Sequence, residues 1–236
     1  MSTGATNPNV TLTNTSKVVS IFAGDYAAAD EGSFFTMYDG IRASTAVACT
    51  TQALANTNPS LAIVNGQPIG LNSPNIYLRA IKLVVTTVAG SNTSVNYSSV
   101  LDNLNPKLTT LGTGVLTSVN VSTSSAGGGT VSKATAYTGV NIAGTATAFA
   151  RQVAGGQVEG NLNVAFDEYM FLFGVPASGG DINGTVTNAK RVSIYHPPVI
   201  IAPGWTYTLG FWGASQAASA ASYTMEISYL ERPAGQ

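Results

Sequence analysis

Polar and apolar residues alternate most regularly near the end of the chain. Trp205, Tyr207, Leu209 and Phe211 fall on one face of an extended segment, and Thr206, Thr208 and Gly210 on the other. Successive strand side chains point to opposite faces, so a period of two marks a strand with one face on a core. The last segment repeats the pattern, with Tyr223, Met225, Ile227 and Tyr229 set against Ser222, Thr224, Glu226 and Ser228. These eight apolar residues are the predicted core-packing set. Upstream, residues 191–201 are extended and β-branched, and Ala202-Pro203-Gly204 ends them. Pro presets φ at the first corner and Gly accepts positive φ at the second, as a type II turn requires. The prediction is three strands joined by two turns in one antiparallel sheet.

The rest of the chain is punctuated in the same way. Residues 17–23 predict a short strand, and residues 33–41 an aromatic one that stops at the turn pair Asp39-Gly40. Residues 75–88 form the clearest strand outside the C-terminus. There Tyr77, Ile81, Leu83 and Val85 alternate with Leu78, Ala80, Lys82 and Val84, which puts apolar residues on both faces. Further strands are predicted over 95–100, 114–121, 131–142 and 162–174. The last carries Val164, Phe166, Met170 and Leu172 on one face, and Tyr169, Phe171 and Phe173 on the other. Ala content favours a short helix over 43–55. Residues 61–64 read as a brief strand in a Pro- and Gly-rich loop expected on the surface. Residues 144–154 are indecisive, and Gly155-Gly156 ends them.

About eight to ten short strands predict an all-β fold, an antiparallel β-sandwich or jelly roll. No fixed-period repeat points to a solenoid or propeller. Residues 1–16 are polar and read as an extended N-terminal arm, long enough at ~55 Å to reach a neighbouring subunit. Residues 17–236 then form a single β-sandwich domain.

Composition sharpens this picture at one point. Charged residues are 9% of the chain, against ~25% in an average soluble domain. Solubility must rest on Ser, Thr, Asn and Gln, and such a surface suits permanent packing against other subunits. The net charge is −1, and among the basic residues only Lys190 and Arg191 are adjacent. No basic stripe tracks a phosphate backbone, so nucleic acid is not an expected partner. The single cysteine, Cys49, forms no intrachain disulfide and reads as a small apolar residue. The first residues lack the basic and apolar regions of a signal peptide, and no apolar run reaches the ~20 residues of a membrane helix. The expectation is a protein made in a host cytoplasm, without membrane contact.

Candidate chemistry is sparse. His196 is the one histidine, and no Cys or carboxylate partners it at metal-ligand spacing. No Gly-x-Ser-x-Gly elbow supplies a serine for a relay, so His196 reads as a half-buried residue at a strand end. Asp167 and Glu168 are adjacent, but strand neighbours face opposite ways and do not share a substrate. They read as ion-paired anchors, with Arg79, Lys82 and Arg151 as partners. Asp25, Asp30, Glu31 and Asp39 do not follow the spacing of a calcium loop. Gly127-Gly128-Gly129 lacks the Lys-Ser or Lys-Thr of a phosphate loop. Trp212, on the face opposite Trp205, is the candidate for an exposed contact, and with loop tyrosines it would suit sugar stacking. No catalytic, metal or cofactor site is expected, and the chain reads as a non-enzyme.

The run His196-Pro197-Pro198-Val199-Ile200-Ile201-Ala202-Pro203-Gly204, the aromatic strand ending at Trp212, the stretch from Ser215 to Tyr223 and the closing Tyr229-Leu230-Glu231-Arg232 carry a resemblance. They resemble the last strands of tailed-bacteriophage virion proteins, β-sandwiches of the head-decoration or cement kind. Tyr77-Leu78-Arg79 and the passage from Asp167-Glu168 to Phe173-Gly174 are similar in style. The resemblance implies a structural part of the virus particle, a homotrimer. Its partners would be the major capsid protein and copies of itself on the outer capsid surface. The alternative it leaves is a tail, fibre or carbohydrate-binding receptor module on the same fold.

Overall fold

The computed structural model describes residues 28–29, 31–39, 47–48, 58–70, 73–88, 94–103, 108–110, 114–122, 131–138, 140–142, 151–159, 165–174, 191–214 and 222–233. The expected N-terminal arm, the strand at 17–23 and Cys49 lie outside these residues. The strands run in chain order as β1 Phe34–Tyr38, β2 Val47–Ala48, β3 Leu61–Asn65, β4 Pro74–Thr87 and β5 Ser94–Asp102. Then come β6 Leu108–Thr110, β7 Gly114–Asn120, β8 Ala134–Thr138, β9 Asn141–Ile142 and β10 Gln152–Glu159. The last are β11 Glu168–Phe173, β12 Arg191–His196, β13 Ile200–Ile201, β14 Thr206–Ala214 and β15 Ser222–Pro233. The fold is an all-β sandwich.

One layer orders its strands β7-β1-β15-β4-β11-β12, with β13 beside β4 and β2 beside β15. The other orders them β10-β5-β14-β3-β8. Strand β7 joins the layers, because its start pairs with β8 and its end with β1. The inner faces meet in one core of large side chains, among them Phe35, Met37, Leu61, Ile63, Ile81, Tyr169, Phe171, Tyr207, Phe211, Tyr223 and Tyr229. Among the described strands, every ladder but one is antiparallel; the exception, β11 with β12, is parallel.

The C-terminal region differs from its sequence reading in how it is assembled. The turn at 202–205 forms, with the Trp205 amide donating to the Ala202 carbonyl at 3.0 Å and Gly204 at φ +81°. It does not close a hairpin. Strand β13 pairs with β4 in one layer, and β14 pairs with β3 and β5 in the other, so the turn is a corner between layers. The proline pair 197–198 separates β12 from β13, because proline donates no amide to a ladder. Strands β14 and β15 therefore face each other across the core, with Phe211 and Tyr223 ring centroids 6.0 Å apart.

Other corrections have local causes. The expected surface segment at 61–64 is β3, every residue of it buried, because it lies between β14 and β8. The pair Gly155-Gly156 does not end a segment; it sits inside β10, opposite Ser98 and Tyr97 of β5. Residues 47–48 pair with β15 as a strand rather than forming part of a helix. The predicted strand 131–142 divides into β8 and β9, and 162–174 starts as a strand only at Glu168. Phe166 stands before it, exposed, at φ 73°.

The two apolar faces of β4 have a simple origin. The ladder with β15 slips at Arg79, so Tyr229 faces Leu78 while Ser228 faces Ala80. The extra residue is a bulge that reverses the alternation. Ile76 and Leu78 before it, and Ile81, Leu83 and Val85 after it, all reach the core.

Candidate functional site

The sole histidine ends β12 with its ring turned inward and fully buried. Its Nε2 lies 2.7 Å from Ser99 Oγ on β5 and 3.2 Å from the Tyr207 hydroxyl on β14. Its Nδ1 lies 2.9 Å from the Pro197 carbonyl. A carbonyl only accepts, so this network assigns the ring proton to Nδ1 and makes Nε2 an acceptor for the hydroxyls. Burial lowers the His196 pKa, and the bond to Pro197 offsets it only in part. Burial likewise drives the Tyr207 hydroxyl far above its usual range. Phe173 covers the imidazole with ring centroids 4.4 Å apart.

Serine beside histidine is the geometry of a nucleophile and base, but here both side chains are 0% exposed. Phe173 and Tyr207 seal the ring, so no substrate atom reaches Ser99 Oγ in this conformation. The cluster ties β12, at the rim of one layer, to β5 and β14 of the other. Sequence reading placed His196 at a strand end and half-buried. It is deeper than that, because Phe173, Tyr207 and Ser99 enclose its ring.

Glu168 is an ion-paired anchor. Glu168 meets Arg191 at 2.7 Å and Lys82 at 3.3 Å. Burial alone would raise its pKa, but the hydrogen bonds from Arg191 and Lys82 hold it below its ordinary value. Asp167 is buried beside it. Arg151 pairs instead with Asp102 at 3.4 Å, and its guanidinium lies 4.7 Å over the Trp205 ring.

A second carboxylate site escaped the sequence reading. Glu231, on β15, accepts from Ser132 Oγ at 2.7 Å and from the Lys133 and Ala134 amides at 2.8 and 2.9 Å. This stitches the entry of β8 to the other layer. A glutamate near a chain end gives no local sign of partners about a hundred positions away.

Of the predicted core set, Tyr207, Leu209, Phe211, Tyr223, Met225, Ile227 and Tyr229 are buried. Trp205 is not; it is half-buried at the corner, packed on the core edge under Arg151. Trp212 is also half-buried, on the outer face of β14 opposite Asn96. Among the described residues, no three His, Cys, Asp or Glu side chains group around one metal position, and no helix is long and apolar enough to cross a membrane.

Two features of the outer surface stand apart. The first is an apolar strip on β7 and β1: Val115, Val119, Val121 and Tyr38 are 58, 50, 44 and 41% exposed. They share a face because Tyr38 stands opposite Thr117 and Thr36 opposite Val119, while Leu116 turns inward. The second is an open cleft of about 320 Å³ where β13, β4 and β15 run side by side, lined by Tyr77, Arg79, Pro198, Ile200, Leu230 and Arg232. Compared with known protein families, curated proteins and solved structures, the chain matches none.

Proposed function

We propose that this chain is a structural subunit of a virus particle: a homotrimeric decoration or cement protein bound to the outside of an assembled capsid, without catalysis of its own. The observation that carries the proposal is the valine strip on β7. Val115, Val119 and Val121 with Tyr38 leave four large apolar side chains exposed on one face, interspersed with Thr117 and Thr36, and clustered exposed apolar residues mark protein–protein contacts. The charge-poor composition agrees with it, since the cores of subunit interfaces are depleted in charge. The buried polar groups at Ser99, His196 and Glu231 are spent on tying the layers together, which suits a rigid building block.

The decisive experiment is reconstruction of the virus particle. Density for this chain in threefold clusters on the capsid exterior is the expected result. Density on the tail alone, or none on the particle, defeats the proposal. Light scattering of the purified protein should give a trimer; a monomer at micromolar concentration removes that part of it.

A further inference from the structure

We propose that the cleft between β13, β4 and β15 binds an acidic sugar, a hexose ring carrying a carboxylate. This inference stands on a different surface from the valine strip and does not depend on it. Ile200, Tyr77 and Leu230 lie in one cross-strand row on the outer face, since Ile200 pairs with Tyr77 and Tyr77 with Leu230. They give the cleft an apolar wall with one aromatic ring, the surface on which the C–H face of a sugar packs. Arg79 stands at the β4 bulge and Arg232 near the end of β15, and both residues line the same cleft.

An arginine fork matches the planar oxygens of a carboxylate and stays charged at every physiological pH. Among the described residues Arg232 makes a long ion pair, 3.9 Å to the exposed Glu31, which a closer carboxylate in the cleft would outcompete. The cleft volume, about 320 Å³, sits at the small end of ligand sites and suits a single ring. A peptide fits less well. Strands β4 and β15 each have ladder partners on both sides, which leaves the two-residue β13 as the one strand of the cleft with a single described ladder.

The test uses the full-length protein and saturation-transfer NMR with glucuronic acid, N-acetylneuraminic acid and neutral glucose. The acidic sugars should bind with a dissociation constant in the millimolar range, and glucose at least tenfold more weakly. Raising the salt should weaken the acidic sugars, because screening acts on the charge pairing. Arg232→Gln and, separately, Tyr77→Leu should each lower acidic-sugar affinity tenfold or more, with an unchanged circular dichroism spectrum. If Arg232→Gln does not fold, Tyr77→Leu decides alone. Equal binding of glucose, wild-type affinity in the folded variants, or no acidic-sugar binding at tens of millimolar each overturns the proposal. So does displacement of the sugar by an equimolar acidic peptide, Ac-Leu-Glu-Leu-amide, which would make the cleft a site for a protein side chain.

Discussion

At the scale of single residues, the groups that decide behaviour are few because so few are charged. Asp39, at the end of β1, has a carboxyl pushed up to about 6 by burial, with backbone hydrogen bonds opposing the rise. Its Oδ2 is buried without a hydrogen-bond partner among the described residues. An acid whose folded pKa is raised holds its proton longer when folded than when unfolded. Its contribution to stability is therefore present below the ordinary value of 3.8 and is lost as pH rises through about 6. Asp39→Asn should raise the melting temperature at pH 7 and leave it nearly unchanged at pH 4, read from paired thermal melts. An equal shift at both pH values would show that ionisation of Asp39 is not what costs stability. His196 works in the opposite direction: its lowered pKa makes stability fall as pH drops below about 6.5. The Asn substitution separates the two.

At the scale of elements, two glycines with positive φ show what backbone conformation alone can cost. Gly204 forms the corner between β13 and β14 at φ +81°, and a Cβ there would meet nothing within 4 Å. Gly174 follows β11 at φ +68°, and a Cβ there would stand 3.1 Å from Pro198 Cβ. Gly204→Ala should lose only the left-handed penalty of about 1–2 kcal/mol. Gly174→Ala should lose that and the clash with a rigid proline as well. Urea denaturation of both variants checks the order; equal losses would mean that the proline pair yields freely. The corner is also braced by Asn65, whose side-chain amide donates to the Ile201 carbonyl at 3.0 Å and to the Pro74 carbonyl at 2.9 Å. That bracing ties the end of β3, buried between β14 and β8, to the corner.

At the scale of the whole molecule, β7 joins the two layers on one side, and among the described strands no ladder joins β10 to β12 on the other. Side chains link the layers there. Ser99 Oγ lies 2.7 Å from His196 Nε2 across the layers and 3.2 Å from the Ala154 carbonyl of β10 within its own layer, its single proton shared between the two acceptors. The side joined by β7 carries the valine strip. Val119 is 50% exposed. Val119→Asp should leave the stability of the single chain within about 0.5 kcal/mol, as surface substitutions do. On the proposed trimer, it should also shift the light-scattering mass toward monomer. A trimer that survives the charge would place the subunit contact elsewhere.

Sequence alone determined the class of the fold, because a period of two is a local property. Each strand writes its inner face into its own residues, as Tyr223, Met225, Ile227 and Tyr229 do in β15. It also fixed the turn at 202–205, since proline and glycine impose their dihedrals wherever they stand. What it did not determine is which strands lie beside each other. The same turn serves a hairpin or a corner, and only the burial of β3 between β14 and β8 chose the corner. Register slips are equally silent, and the bulge at Arg79 turned what read as two apolar faces into one core face. The polar clusters were the least legible. Ser99 and His196 stand 97 positions apart, and Glu231 and Ala134 likewise 97. Hydrogen bonds over such spans leave no periodicity in the chain; they exist only where two layers are pressed together and buried polar atoms must find partners.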